Sequence, residues 1–577
     1  MLKPFLGFRV FATVILDART QTAFTGETNP EGGGEVVIWA ATYLIDNVGG
    51  RVFGFDNTSI HLSGGSNNVI QGNTKSGIEI YDSAANLIGG GSPGEGNTGG
   101  IIQIDRASHN VVFGNTAQRV RILGWIGGNQ PAIGNRIGGP ALGERNYITG
   151  LGTWNSEGWP SGYAVQIFDA IGTVVENNSI GTTPDGLLQG HAATTAGIWF
   201  DGENYDTTIR GNRIAGILGR RIGTYPGVVG TAISIGGFGS GIEIVGNTIG
   251  LDANGAPTLG SVTGIGTANY YLGPVRNIVI GGSAAGASNT IAGHFQAGVS
   301  VANTLSGVRI SGNSIHDNGG IGIDLITDGF LTGVTLNDPL DPDTGANGLQ
   351  NFPVLQSATI AGAALRVLGT LNSNAASGFT VEFFASPQCD PSGYGEGQVF
   401  LGTTTVTTNG SGDAAFDVSL PVSVQPGWFV SATATATASG STSEFSACVP
   451  VTGSPLLWAD LGQGLAGTSG IPRLRGSGSL TAASTVLWSL TNAKRTTSSL
   501  FVVGAHRVQV PLLGGVLVPA PDVVVPVATD SAGAASLAVR LAQSLTSGRE
   551  ICVQVWVQDA SGPFGWAASN ALAAMTP

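Results

Sequence analysis

A short strand ending in a Gly-Asn or Asn-Asn corner returns six times between residues 68 and 313. That recurrence limits what the chain can fold into more than any other feature. The segments are Asn68-Val69-Ile70-Gln71-Gly72-Asn73, Asn110-Val111-Val112-Phe113-Gly114-Asn115, Thr173-Val174-Val175-Glu176-Asn177-Asn178, Thr207-Thr208-Ile209-Arg210-Gly211-Asn212, Ile242-Glu243-Ile244-Val245-Gly246-Asn247 and Val308-Arg309-Ile310-Ser311-Gly312-Asn313. Gaps of 42, 63 and 66 between the closing asparagines read as multiples of a rung of about 21 residues. Gaps of 34 and 35 read as rungs with insertions. A second motif places alternating apolar residues after Gly, as in Gly77-Ile78-Glu79-Ile80, Gly197-Ile198-Trp199-Phe200, Gly298-Val299-Ser300-Val301 and Gly322-Ile323-Asp324-Leu325. A third is an Ile-Gly turn, at Ile88-Gly89, Ile137-Gly138, Ile180-Gly181, Ile249-Gly250 and Ile280-Gly281.

Each run alternates inward and outward, the period of a strand. Two or three strands per rung cannot bury their apolar side alone, but stacked rungs bury one continuous core. The corner Asn tolerates the left-handed conformation, and its amide can bond its counterpart one rung away. Hairpin turns reversing the chain, and the helix-forming stretches of a leucine-rich horseshoe, are both lacking. The pattern predicts an all-β chain built on a right-handed parallel β-helix.

Composition agrees. Only 11% of the 577 residues are charged, while Gly reaches 93, as a turn-rich β fold needs. The net charge of −13 argues against nucleic acid, which needs clustered Lys and Arg. No basic patch suits an anionic membrane surface, and no apolar run is long enough to span a bilayer. From Leu456 onward seven basic residues face five acidic ones, so the acidity lies in the preceding body. The first residues, MLKPFLGFRVFATVILDA, partly resemble a signal peptide, but Arg9 and Asp17 interrupt the pattern; a degraded first rung or a lost true start fits as well. Of the three cysteines, Cys389 and Cys448 fall in one segment, as a disulfide pair or as buried thiols, and Cys552 reads as a small core residue.

The rung Ile280-Gly281-Gly282-Ser283-Ala284-Ala285-Gly286-Ala287-Ser288-Asn289-Thr290-Ile291, with Ile180-Gly181-Thr182-Thr183-Pro184-Asp185-Gly186 and Ile249-Gly250-Leu251-Asp252-Ala253-Asn254-Gly255, resembles bacterial right-handed parallel β-helix repeat proteins. The resemblance covers about residues 60–450 and implies the pectate-lyase-like fold and export or surface attachment. Most such proteins have no established activity, so it implies little chemistry. The stretch from Phe383 through Cys389 to Ser443-Glu444-Phe445-Ser446-Ala447-Cys448 is similar to the sandwich that often follows these helices, which implies a Cys389–Cys448 bridge. The C-terminal segment is more loosely similar to modules on exported bacterial proteins.

The expected organisation is an N-terminal cap or irregular first rungs over 1–59 and the β-helix over 60–337. An Asp/Pro-rich junction over 338–352 precedes an Ig-like sandwich over 353–452 and a C-terminal β-sandwich over 455–577.

Chemistry is sparse. Asp82, Asp105, Asp169 and Asp201, with Glu203, recur near one strand end. Stacking at about 4.8 Å per rung would let two of them flank a glycosidic bond, and turn-capping is the simpler role. Polysaccharide lyase and polygalacturonase motifs are missing, and fold alone is no evidence of activity. The insertion Trp154-Asn155-Ser156-Glu157-Gly158-Trp159-Pro160-Ser161-Gly162-Tyr163 offers Trp154, Trp159 and Tyr163 as a carbohydrate platform, or as rings that pack the loop down. Asp338, Asp341, Asp343 and Asn347 offer hard oxygens for calcium (Ca2+), though Pro339 and Pro342 equally make a rigid junction. The six histidines have no metal-ligand spacing, and His316-Asp317, following a corner, reads as a polar pair facing solvent. The best-supported expectation is a secreted or cell-surface structural and binding protein that contacts extracellular polysaccharide. A polysaccharide lyase or glycoside hydrolase, and a phage tailspike-like fibre, are the alternatives.

Overall fold

The structure is a computed structural model. It describes all residues except 1–8, 11–14, 18–41, 46–48, 50, 56–58, 75–76, 155–159, 192–193, 218–229, 268–274, 303–304, 328–332, 362–363, 423, 453–457, 479, 545, 547 and 577. The chain is all-β, a right-handed parallel β-helix followed by two β-sandwiches. It divides into two compact units: residues 1–359 with 365–451, and residues 360–364 with 452–577.

Each complete rung contributes to three faces. The first face stacks Ser59–Ser63, Gly77–Tyr81, Ile101–Asp105 and Arg119–Leu123 in parallel register, then continues through the strands Pro160–Ile171 and Ala196–Tyr205. The second stacks the Gly-Asn segments, so that Val52, Ile70, Ile88, Val112, Ile137, Val175, Ile209, Ile244, Ile280 and Ile310 form one inward column. All ten are almost completely buried. Burying each such side chain contributes about 1.5–3 kcal/mol, and the repetition turns a modest gain per rung into a continuous core. The third face is a separate seven-stranded sheet running from Thr116–Ala117 to Ser314–His316.

The corner between the second and third faces is an unbroken asparagine ladder. Asn73, Asn97, Asn115, Asn146, Asn178, Asn212, Asn247 and Asn289 each pass an Nδ2 hydrogen bond to the Oδ1 of the next, ending at Asn313, at 2.8–3.0 Å. A shorter ladder, Asn68–Asn86–Asn110–Asn135, lines the corner between the first and second faces. The ladder corrects the expected period. Successive rungs span 24, 18, 31, 32, 34, 35, 42 and 24 residues. The gap of 63 is therefore two insertion-bearing rungs rather than three short ones. The Ile-Gly turns also belong to two places: Ile88, Ile137 and Ile280 lie on the second face, Ile180 and Ile249 on the third. Gly is required at the latter corner. Gly250 has φ +88°, and a Cβ there would sit 1.9 Å from the Ala292 carbonyl oxygen.

Parallel pairing begins before residue 60. Thr42–Ile45 pairs with the strand Ser59–Ser63, and Ile15–Asp17 with Arg51–Phe53. The question of a signal peptide falls largely on residues outside those described.

Seven strands from Val354–Ala361 to Val449–Thr452 form the first sandwich, with antiparallel pairing between Ala364–Asn372 and Asp413–Leu420 and among Gly378–Ser386, Val399–Thr407 and Phe429–Ala436. Its Phe384 and Phe445 join the hydrophobic core of the β-helix, and Cys389 is disulfide-bonded to Cys448. The C-terminal unit holds six-, three- and two-stranded sheets around a core that includes Trp458, Trp488 and Phe501. Cys552 is buried there as a free thiol.

Candidate functional site: the first face of the helix

The outward positions of the first face run His61, Glu79, Gln103, Arg121, Gln166, Trp199, Ser234, Gly266 and Ser300 from rung to rung. Alternation fixes this column, because the flanking residues are the inward Ile and Val. His61 Nδ1 lies 2.9 Å from Glu79. The Arg121 guanidinium donates to Gln103 Oε1 at 2.8 Å and Gln166 Oε1 at 3.0 Å. Gln103 in turn donates to the Tyr81 hydroxyl at 3.2 Å. Beside this array the Tyr163 and Trp199 rings meet at 5.1 Å. Arg119 lies 4.2 Å over the Tyr163 ring and donates to its backbone carbonyl. Tyr163, Trp199, Tyr81 and Arg121 are half-buried, held in place yet reachable from solvent. Burial draws the Arg119 pKa down from its usual value. Burial, then Glu79 and Asp105, raises that of Tyr81.

This wall offers aromatic faces next to fixed amide and guanidinium groups, the combination that holds a polyhydroxylated ring. Of the expected platform, Tyr163 belongs to it. Trp154 pairs by its backbone with Pro160 in the hairpin of Leu151–Trp154, and Trp159 lies outside the described residues. Trp199, Gln103, Arg121 and Gln166 were not anticipated. For Trp199 the signal was in Gly197-Ile198-Trp199-Phe200, whose third position is this outward column; Gln103, Arg121 and Gln166 lie in rungs that lack the motif's Gly at that spacing.

The carboxylates fall into two separate groups, Asp82 with Asp105 around Arg106 and Asp169 beside Asp201 and Glu203. Asp105, Leu123, Phe168 and Asp201 occupy successive rungs of one column, so Asp105 and Asp201 stand about 14 Å apart at ~4.8 Å per rung. That exceeds the span of either glycosidase geometry. Asp169, at φ 50°, is buried and caps turns: its carboxylate accepts from the Ile126 and Glu203 amides at 3.1 and 2.8 Å. Asp201 accepts from the Gly202 amide at 2.9 Å, and Glu203 from the Tyr205 hydroxyl at 3.3 Å. Asp105 lies 3.5 Å from Arg106, and burial raises its pKa against that attraction. Asp82, also at positive φ, shares Arg106.

At the junction, Asp338, Asp341 and Asp343 each bring a carboxylate oxygen within 4.8 Å of the others. Burial pushes Asp341 up to about 6, against hydrogen bonds from Ser373 and Asn351. Asp338 Oδ1 and Asp343 Oδ1 are buried without a hydrogen-bond partner. Asn347 stands apart from this group. Its amide is spent on the Val308 backbone N–H and C=O and the Thr442 carbonyl.

No protein-family model and no curated protein matches the chain. Among solved structures, a tetra-tandem repeat in the extending region of a large adhesion protein aligns at 14% identity. The alignment covers 39% of this chain and 49% of that one, with TM-score 0.13, so the chain spans about half the length of that repeat. The tailspike protein gp49 from Acinetobacter baumannii bacteriophage Fri1, a capsular polysaccharide depolymerase, aligns at 12% identity over 76% of this chain and 82% of its own, with TM-score 0.14. At such TM-scores neither alignment bears on fold or function. Among the described residues no helix is long and apolar enough to cross a membrane.

Proposed function

We propose that this is an exported or surface-displayed β-helix repeat protein that holds carbohydrate on the first face of its helix without cleaving it. The observation that carries this reading is the half-buried Tyr163–Trp199 pair beside Arg121, Gln103 and Gln166. The Cys389–Cys448 disulfide supports an oxidising compartment. The pairing of Asp82 and Asp105 with Arg106, and the bonds of Asp169 and Asp201 to backbone amides, weigh against a hydrolase on this face. In the same proposal, calcium occupies the Asp338–Asp341–Asp343 junction as a structural ion: the orphaned buried oxygens lack the positive charge that a hard cation supplies. The test is binding to a panel of neutral and acidic polysaccharides by wild type and by Trp199→Ala and Tyr163→Ala. Each variant should weaken binding about tenfold or more with an unchanged melting curve. Equal binding by all three proteins, or no binding to any glycan, contradicts the reading.

A further inference from the structure

A β-helix that simply stops leaves its last rung with unpaired backbone donors, an edge open to association. Here the donors of that rung are met by side chains of the first sandwich and the preceding junction. Ser311 Oγ and the Gly312 amide donate to Glu382 at 2.6 and 2.9 Å. The Asn318 amide and Nδ2 donate to Glu396 at 3.1 and 2.7 Å. The Leu325 and Thr335 amides donate to Glu444 at 2.9 and 2.8 Å. Asn347 and Thr442 accept from Val308 and Ile310 in the same way.

Three of these acceptors are carboxylates held in a largely buried interface. Glu444 is 2% exposed, and Asp324, beside its partner Leu325, is 1% exposed with neither oxygen in a hydrogen bond of ordinary geometry. Asp324 faces Glu444, with only the Gly333 amide in partial compensation. Glu396 faces Asp317 and Asp390, and Asp317 is itself paired with His316. Glu382 alone faces a cation, Arg309. Among the described residues no Lys, Arg or His lies within 4 Å of Asp324, Glu396 or Glu444. Elsewhere in the helix a buried carboxylate, Glu176, is clamped between Arg136 and Arg210. Two acids buried together without a cation cannot both ionise freely.

We propose that the first sandwich is a proton-controlled latch on the terminal rung: with a proton on the Asp324–Glu444 pair and on Glu396 the cap stays seated, and with these groups ionised it loosens and uncovers the edge. Desolvation lifts Glu444 to about 8 and Glu396 and Asp324 to about 7. The folded state therefore binds more protons than the unfolded chain above pH 4. The stability that these three groups contribute is greatest below the ordinary carboxylate range and is lost as pH rises through about 8. Buried His294, pulled down to about 4 by desolvation, acts oppositely below its ordinary value near 6.5. The latch is thus read cleanly between pH 6.5 and 8.5.

The experiment is hydrogen–deuterium exchange on the full chain at pH 6.5, 7.5 and 8.5, with each rate divided by its intrinsic rate. Protection of segments containing Gly312, Asn318 and Leu325 should fall by up to about tenfold per pH unit for each linked proton. Segments containing Val175 and Ile244 should stay level. Asp324→Asn should flatten the slope. So should Glu396→Gln, whose amide oxygen keeps both Asn318 bonds. A level profile at the terminal rung, equal loss in the middle of the helix, or a wild-type slope in both variants overturns the latch.

Discussion

At Asn212 one side chain serves two neighbouring rungs. Its Oδ1 accepts from the Asn178 amide and Nδ2, and its Nδ2 donates to Val175, Arg210 and Asn247. Removing it strands several buried partners at once, and an unsatisfied buried group costs about 1–3 kcal/mol. Asn212→Ala should therefore lower unfolding free energy by about 2–4 kcal/mol in denaturant melts, while Asn409→Ala, in a surface turn of the first sandwich, should cost far less. Asn212 was legible in the sequence as a corner with rung-to-rung bonding. Asn146 and Asn289 do the same work but follow Arg145 and Ser288, so the Gly-Asn signature missed them; Asn97 does follow Gly96, but turn residues and not an alternating strand precede it. Asp169 shows the opposite case: a carboxylate at a strand end attracts a catalytic reading, and only its bonds to the Ile126 and Glu203 amides reveal a turn cap.

Elements were legible wherever alternation was clean. The alternating runs around Val381, Val406, Phe416 and Val430 lie within strands of the sandwich expected over 353–452. What sequence could not supply was registry. Ile137-Gly138 and Ile180-Gly181 look alike, yet stack on different faces, because insertions hide how many corners separate them. Trp199 was missed for the same reason: its neighbours Gln166 and Arg121 lie 33 and 78 positions back in the chain. Two predictions belong at this scale. The Cys389–Cys448 bridge joins residues 59 apart, so replacing both by Ser should cost about 4 kcal/mol by loop closure, seen as a shifted denaturant midpoint. Calcium removal by chelation should lower the melting temperature of wild type, and Asp341→Asn should abolish that response. Chelator-insensitive melting would remove calcium from the account.

For the molecule as a whole, the repeat explains why fold and chemistry separate so sharply. Gly, Asn and many of the Asp residues are consumed in corners, leaving the first face as the surface where side chains are free to vary from rung to rung. On that face aromatic, amide and guanidinium groups gather around Trp199, while Asp82 and Asp105 are tied to Arg106 and Asp169 to backbone amides. On the proposed reading this wall retains a glycan along its length without cutting it. The most direct test incubates the full chain with the polysaccharides it retains, then measures polymer length by size-exclusion chromatography together with new reducing or unsaturated ends. The account predicts retention that depends on Trp199, with polymer length and end count unchanged. Shortened chains, or retention untouched by Trp199→Ala, would contradict it.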